Sequence, residues 1–251
     1  ASRLKPNTIS TYMRMLRSIY NRGVDMHQAP YVHGLFRDVF TGVDTRQKKA
    51  IPIGELHMLL NKDPQSEKLR RTQAIANLLF QFCGMPFSDL AHLEKSNLKQ
   101  GLLKYNRLKT GTPMSIEVLE SAHNAIGGLY NKTDARSPDY PDYLFRILSG
   151  AYKRDEEEAY REYQSALRRF NNDLKSLSRK LRISSSVTSY TLRHSWATTA
   201  KYRGVPIEMI SESLGHKSIK TTQIYLKGFE LEERTKVNKL NYSYVCSFKM
   251  F

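Results

Sequence analysis

A single hairpin signal interrupts a chain whose other long segments carry the hydrophobic spacing of α-helices. Apolar residues recur at helical intervals beyond residue 51, which predicts helices at 53–61, 67–82, 86–93, 117–129, 155–181, 188–203, 207–214 and 218–227. Between them, 102–108 and 113–118 are rich in β-forming residues and flank the turn sequence Lys-Thr-Gly-Thr at 109–112. The chain is therefore expected to be mainly α with a small antiparallel β-sheet, an α+β fold.

The start of the chain differs from the rest because 43 residues are too few to build an ample core. This part holds a clear amphipathic helix at 7–22, and the polar, basic stretch 44–50 that follows is typical of a linker. We therefore expect a partial N-terminal helical domain at 1–43, a linker at 44–50, a main domain at 51–228 and a C-terminal tail at 229–251.

The charge of the chain narrows the choice of partner. Forty Lys and Arg face 24 Asp and Glu, for a formal net charge of +16. Such a field attracts polyanions, with nucleic acid as the commonest partner and an anionic membrane surface as the second, whereas a solvated basic protein is the alternative.

Hydropathy and cysteine content indicate the cellular compartment in which the protein is expected to work. A mean hydropathy of −0.55, with no long apolar run, predicts a soluble protein without membrane spans or an export signal. The two cysteines, Cys83 and Cys246, have neither metal-ligand nor disulfide-framework spacing. This favours a reducing, cytoplasmic compartment.

The stretch 188–227 contains a candidate DNA-binding motif. Gly215 separates two short helical segments, and the second of them is basic. Ile207, Ile210 and Leu214 form an apolar stripe on the first segment, as in a helix-turn-helix. Taken alone, this pattern favours a sequence-specific DNA-binding module without chemistry.

The same stretch carries a more specific motif. It contains, in order, Arg193-His194, Leu214-Gly215-His216, Thr221-Thr222 and Tyr225. In these residues and their spacing the chain resembles the tyrosine recombinase (phage integrase) family, strongly beyond residue 185 and weakly in the first 45 residues. The resemblance implies a mostly helical catalytic domain at 51–228, preceded by part of the helical core-binding domain that clamps the other side of the DNA.

That family cuts and rejoins DNA at specific sites through a 3′-phosphotyrosyl intermediate, so the resemblance implies integration, excision or inversion. The implied partners are double-stranded DNA, a homo-tetramer on that DNA and an accessory DNA-bending protein. No metal and no other cofactor is implied, because the negative charge of the phosphate is neutralised by side chains in that family. The alternatives are a non-catalytic helix-turn-helix module and a degenerate recombinase with an architectural role.

Residues that match the family motif each suit one part of the reaction. Tyr225 matches the nucleophile, although a phenol with a pKa near ~10 needs a base or an electropositive field to react at neutral pH. Arg193 and His216 match the pair that binds the scissile phosphate, and arginine suits this role because it stays charged and offers a planar fork of donors. Lys109, in the hairpin turn, matches the lysine that protonates the leaving 5′ oxygen.

One position departs from the family where an arginine is expected. The box of the form GxRxSEL begins here at Gly84, and Pro86 stands in place of its arginine. Cys83, just before the glycine, is not arginine either. Asp89 matches the acidic residue of the box, which would orient neighbouring groups.

A second departure is Tyr190, which replaces the histidine of the family's HxxR; it can donate to a phosphate oxygen but is a weak base. The missing arginine leaves three explanations open: an inactivated variant, a working branch whose arginine comes from elsewhere, or a degenerate protein that binds without cutting. Arg70 and Arg71 are the candidates for the second explanation. We favour the working branch, with Cys83 as a candidate introduced change.

Basic residues outside this centre are candidates for DNA-backbone contacts, which position a protein without specifying sequence. They are Arg14, Arg17, Lys48, Lys49, Lys217 and Lys220, and a solvated charged face is an equal alternative for each. In the tail, Leu231 and Leu240 belong to an amphipathic piece that would pack in cis or dock on a neighbouring protomer. Family members often exchange such a segment in the DNA-bound tetramer.

Overall fold

The computed structural model describes residues 4–42 and 50–226, together with Thr235, Asn238, Lys239 and Ser243 of the tail. For Ile224 and Tyr225 it describes the backbone alone. The chain divides into two compact units, Ala1–Lys48 and Lys49–Phe251. Most of the predicted linker at 44–50 and of the tail at 229–251 lies outside the described residues, so the bounds of the four predicted segments remain predictions.

The first unit is built on helix α1 (Pro6–Asp25). Its first turn contains Pro6, whose missing N–H is no loss at that position. The buried Ser10 donates from Oγ to the carbonyl of Gly42 at 2.5 Å, which ties the end of the described segment to the helix. The apolar face predicted from the sequence is largely exposed within this unit, and Ile19 is 67% exposed. Residues 4–42 alone offer too little chain to cover that face.

The second unit is organised around helix α3 (Glu67–Gln81). The others are α2 (Ile53–Asn61), α4 (Phe87–Ala91), α5 (His123–Leu129), α6 (Glu157–Lys180), α7 (Ser189–Tyr202), α8 (Ile207–Ser213) and α9 (Ile219–Tyr225). Helix α3 contacts α2, α5, α6 and α7. On α3 the buried residues include Ile75, Leu78 and Leu79, the i, i+3, i+4 spacing that directs one face inward. Phe170 of α6 stacks on Phe87 of α4, with ring centroids 4.8 Å apart.

A three-stranded antiparallel sheet has the order β1 (Leu98–Lys99), β2 (Leu102–Asn106) and β3 (Pro113–Glu117). Leu103 pairs with Ile116, and both side chains are buried. Tyr105 pairs with Met114. The short connection between β2 and β3 is the predicted hairpin turn that carries Lys109, so the sheet fixes where this turn lies.

A second apolar cluster joins the last three helices. Ala197 of α7, Ile210 of α8 and the following Leu214 pack with Leu226, just beyond α9. This cluster holds α8 and α9 against the helix that carries Arg193. None of the helices in the described part of the chain combines the length and the apolar content needed to cross a membrane.

The mainly α fold with a small antiparallel sheet agrees with the sequence prediction, but the helix predicted over 117–129 begins too early. Glu117 still belongs to β3, and Val118 N donates to the carbonyl of Gly101 at 2.8 Å. Because this backbone remains paired with the hairpin, a 3-10 turn at Glu120–Ala122 has to precede α5. The two-residue strand β1 was not predicted, since it is too short to show alternation.

Candidate functional site

Helix α7 carries Arg193 into the interior of the second unit. The helix begins with a capping box at Thr188, and Arg193 lies one turn further on with 6% of its surface exposed. Its guanidinium donates to the carbonyl oxygens of Gly84 at 2.8 Å and Leu214 at 2.5 Å. Its Nη2 also lies 3.3 Å from Nε2 of His216. The guanidinium is thus held from several sides.

The turn between α8 and α9 presents an imidazole to that guanidinium. Gly215 has φ of +63°, a left-handed conformation that glycine adopts readily. The next residue, His216, hydrogen-bonds through Nδ1 to Oγ1 of Thr222 at 2.8 Å. Thr222 is fully buried on α9, the helix that ends at Tyr225. This bond fixes the imidazole relative to the backbone that carries the candidate nucleophile.

A buried ion pair that the sequence analysis missed lies against the same turn. Arg107, the residue after β2, donates through Nε to Oδ2 of Asp89 at 3.1 Å, and the two side chains are 7% and 0% exposed. Its Nη1 donates to the carbonyl oxygen of Leu214 at 2.6 Å and to that of Gly215 at 3.4 Å. The Leu214 oxygen therefore accepts from Arg107 and Arg193 at once, and the two guanidinium groups are neighbours.

Two signals in the sequence point toward Arg107. It stands two residues before Lys109 in the predicted hairpin, and Asp89 matches the acidic residue of the family box, which would orient neighbouring groups. Neither signal says that the arginine turns inward. That orientation depends on a carboxylate from α4 and on carbonyls of the 214–215 turn, which are remote in sequence.

The surroundings of His216 keep its ring neutral. Burial lowers its pKa to about 4, and the charges of Arg193, Arg107 and Lys109 act in the same direction. At pH 7 the imidazole is therefore a hydrogen-bonding group rather than a cation. The three nearby positive charges make the site attractive to an anion such as a phosphate.

We expect the lowered pKa of His216 to make the fold sensitive to acid. The unfolded histidine titrates near ~6.5, so protonation favours the unfolded chain as the pH falls from that value towards about 4. Between pH 7 and pH 5 the wild type should lose about 1–2 kcal/mol more stability than His216→Gln, after allowance for partial exposure. Urea unfolding at both pH values measures this, with the exposed His57→Gln as control. Equal losses in wild type and His216→Gln would contradict it.

The tight packing of Gly215 predicts a large loss of stability in Gly215→Ala. An added Cβ would overlap the Arg107 side chain and lie 2.8 Å from Sδ of Met114. Backbone strain and overpacking together should cost about 2–4 kcal/mol. Gly204→Ala is a matched control, because its φ is +77° with nothing within 4 Å of the new Cβ, so it should cost about 1 kcal/mol. Equal losses in denaturant unfolding would contradict the packing.

The remaining predicted site residues lie on the same elements. Lys109 is exposed in the β2–β3 connection, and its charge acts on His216. Tyr190 is 43% exposed, one turn before Arg193 on α7. The backbone of Tyr225 ends α9, whereas its side chain lies outside the described part. The structure thus brings Arg193 and His216 into contact and places Lys109 near enough for its charge to act on His216. The backbone of the candidate nucleophile lies one turn after Thr222.

The positions that depart from the family box are also visible. Pro86 is the residue before α4, with φ of −64° and ψ of 147°, and it is half-buried. Cys83 has φ of +55°, and burial raises the pKa of its thiol. Gly84 packs directly on Arg193, since an added Cβ would lie 3.2 Å from the Cα of that arginine. The box therefore supports Arg193 without supplying an arginine itself.

The two helix arginines considered as replacements are bonded elsewhere. Arg70 pairs with Asp63 at 3.0 Å and with Glu67 at 3.5 Å. Arg71 donates to the carbonyl oxygen of Arg146. Within the described ranges, neither arginine donates to the carbonyls of Gly84 or Leu214, which hold Arg193.

The residues predicted to contact the DNA backbone lie on both units. Arg14 and Arg17 are exposed on α1. Lys217 and Lys220 are exposed beside and within the first turn of α9. Lys48 and Lys49 lie outside the described residues. All four described side chains are exposed, as contact with a polyanion requires. The contacts themselves remain predictions.

Two buried guanidinium groups and a neutral imidazole thus lie at one turn of a mainly helical domain, with an exposed lysine whose charge acts on the imidazole. This arrangement has the donors and the positive charge that suit an anion such as a phosphate. The chain belongs to the phage integrase family, whose sequence pattern matches residues 53–231. The resemblance stated from the sequence is therefore confirmed.

Similar proteins carry recombinase names. A tyrosine recombinase of Thermosipho africanus is 24% identical over 236 residues, which are 94% of this chain and 77% of the relative. Tyrosine recombinase XerA of Pyrococcus furiosus is 30% identical over 181 residues, which are 71% of this chain and 57% of the relative. The chain thus spans somewhat more than half of some relatives and about three quarters of others.

Solved structures share the fold. A crystal structure of XerA recombinase matches with a TM-score of 0.56 at 22% identity, over 94% of this chain and 84% of that one. The Tn1549 transposon integrase, solved in complex with transposon right end DNA, matches with a TM-score of 0.60 at 15% identity, over 95% and 80% of the two chains. The predicted fold class, mainly α with a small antiparallel sheet, is confirmed by these likenesses.

Proposed function

We propose that this chain is a tyrosine recombinase that breaks and rejoins DNA at specific sites, by integration, excision or inversion. The observation that carries the proposal is the arrangement around residues 214–216. There Arg193 and His216 lie side by side, on a turn that leads into the helix ending at Tyr225. A phosphate bound to this pair would lie next to the element that carries the nucleophile.

In the proposed reaction the Tyr225 oxygen attacks the phosphorus, and the bond from phosphorus to the 5′ oxygen breaks. The phenol loses its proton to solvent, a loss that the surrounding positive charges favour. Lys109 gives a proton to the departing 5′ oxygen. The products are a 3′-phosphotyrosyl bond and a 5′-hydroxyl, so attack by another 5′-hydroxyl rejoins DNA without an energy-rich cofactor.

Arg193 and His216 would bind the non-bridging phosphate oxygens, on which negative charge develops in the transition state. To donate to the phosphate, a neutral His216 must carry its proton on Nε2, which then no longer accepts from Nη2 of Arg193, while Nδ1 becomes the acceptor of the ring. The Thr222 hydroxyl, 2.8 Å from Nδ1, can act as the donor to it. When the Thr222 hydroxyl donates, this bond would stabilise the ring form that can bind phosphate.

We further propose the partners and organisation expected from the sequence. Double-stranded DNA, attracted by the net charge of +16, would be held by a homo-tetramer in the cytoplasm, with an accessory DNA-bending protein. Residues 1–43 would be part of the core-binding domain, and the tail 229–251 would dock on a neighbouring protomer. The mass of the protein–DNA complex, with and without residues 230–251, measures this docking.

Covalent trapping tests the proposed activity. A library of random-sequence duplexes, each with a nick in one strand, lets a short 5′-hydroxyl fragment diffuse away after cleavage and so traps the intermediate. We expect a protein–DNA adduct that survives denaturation, with a shared sequence among the recovered duplexes. Recovery of a shared sequence by native binding, without any adduct, would overturn the proposal and support the helix-turn-helix module or an architectural role.

A further inference from the structure

We propose that Arg107 is the second phosphate-binding arginine of this centre, and that it replaces the arginine of the family box, which is Pro86 in this chain. The inference rests on the proposed function, because it assigns a role in the same DNA cleavage step. In a working recombinase that lacks the arginine of the box, the replacement would then be Arg107. It comes from the hairpin rather than from the helix that carries Arg70 and Arg71.

Arg107 and Arg193 occupy equivalent settings. Each is 6% exposed, and each donates to the Leu214 carbonyl oxygen, at 2.6 Å from Arg107 and 2.5 Å from Arg193. A group that binds beside one guanidinium at this turn therefore lies beside the other. Two adjacent guanidinium groups offer more donors and more charge to a phosphate than either alone.

The hydrogen bonds of Arg107 leave one guanidinium nitrogen available to donate to a ligand. Nε donates to Asp89, and Nη1 donates to the carbonyls of Leu214 and Gly215. Among the residues that the structure describes, none accepts a hydrogen bond from Nη2. A guanidinium fixed on two sides with one donor nitrogen remaining is preorganised for an incoming oxygen.

Asp89 links this arginine to the altered box. The box keeps its acidic residue although its arginine is missing. In the structure that carboxylate is fully buried and orients Arg107 from the hairpin. The box would therefore still contribute to phosphate binding, by holding an arginine that comes from another element.

A purely structural ion pair would show the same contacts, so the test has to separate charge from folding. Arg107→Ala should slow single-turnover cleavage of the trapped duplex by about 10²–10³-fold. A methylphosphonate at the scissile position replaces a charged oxygen with a methyl group, which reduces the need for a second cation. On that substrate the gap between wild type and Arg107→Ala should shrink at least about tenfold. Arg154→Ala, which removes an exposed arginine paired with Glu94, should change neither rate more than about threefold.

An arginine returned to the box provides an independent readout. Pro86 lies before α4 with extended backbone angles that other residues adopt, so Pro86→Arg should be tolerated. In the Arg107→Ala background it should raise the cleavage rate at least about tenfold, whereas Pro86→Gln should not. Rescue by charge at a second position is not expected for a residue that only supports the fold.

The possible results are distinct. Folded Arg107→Ala that cleaves within about threefold of wild type overturns the inference, as does a slow variant that neither methylphosphonate nor Pro86→Arg restores. If Arg107→Ala does not fold, Arg107→Lys keeps a positive charge opposite Asp89 and is compared on both substrates. If the ratio of the methylphosphonate rate to the phosphate rate is the same for Arg107→Lys as for wild type, the inference is overturned. Absence of an adduct from wild type is instead a failure of the proposed function.

Discussion

Replacing Tyr225 with phenylalanine should abolish the covalent protein–DNA adduct while leaving DNA binding within about threefold of wild type. The change removes the one hydroxyl that is proposed to attack phosphorus. Binding should persist because the cationic groups around the 214–216 turn are untouched. Denaturing electrophoresis measures the adduct, and a native binding titration measures affinity at a fixed salt concentration.

Tyr160→Phe is the matched control for that substitution. Tyr160 lies on α6 and is 63% exposed, so its hydroxyl is accessible but remote in sequence from the family motif. This variant should form the adduct at the wild-type rate. An adduct of undiminished yield in Tyr225→Phe would show that another residue is the nucleophile.

Arg193→Ala should lower the rate of DNA cleavage by about 10²–10³-fold, the cost of removing one preorganised donor to a developing oxyanion. Arg193→Lys should recover part of that loss, because lysine keeps the charge but not the planar fork. Single-turnover cleavage of the nicked duplex measures both. Arg161→Ala removes an exposed arginine paired with Glu157 and should cleave within about threefold of wild type.

The structural role of Arg193 has to be measured beside its chemical role. Its loss leaves the Gly84 carbonyl without this donor, whereas the Leu214 carbonyl keeps its bond from Arg107. An unsatisfied buried group costs about 1–3 kcal/mol. Urea unfolding therefore accompanies the rate measurement. A folded Arg193→Ala protein that cleaves at the wild-type rate would contradict the assigned role.

The sequence predicted most helices of the second unit because their signals are local. The stripe on α3 and the charged, amphipathic pattern of α6 repeat over several turns, and tertiary packing only reinforces them. The hairpin that carries Lys109 was also predicted, since turn residues lie between two β-forming runs. The site residues Arg193, His216 and Tyr225 came from the family motif rather than from any periodicity.

What escaped prediction depends on contacts between distant segments. Arg107 looks like an exposed turn arginine until Asp89 and the Leu214 carbonyl are brought against it. Residues 118–119 were predicted to be helical but remain extended, because the backbone of Val118 is hydrogen-bonded to Gly101. On α1 the apolar pattern gave the helix correctly, while the exposure of its apolar face reflects how little chain surrounds it in the first unit.

Mass spectrometry of the trapped adduct tests the central claim most directly. After digestion of the DNA and protein, one peptide should carry a nucleotide remnant, and fragmentation should assign it to the oxygen of Tyr225 through a 3′-phosphate. The short fragment released from the nicked strand should bear a 5′-hydroxyl. A remnant on any other residue, or one joined through a 5′-phosphate, would contradict the proposed mechanism.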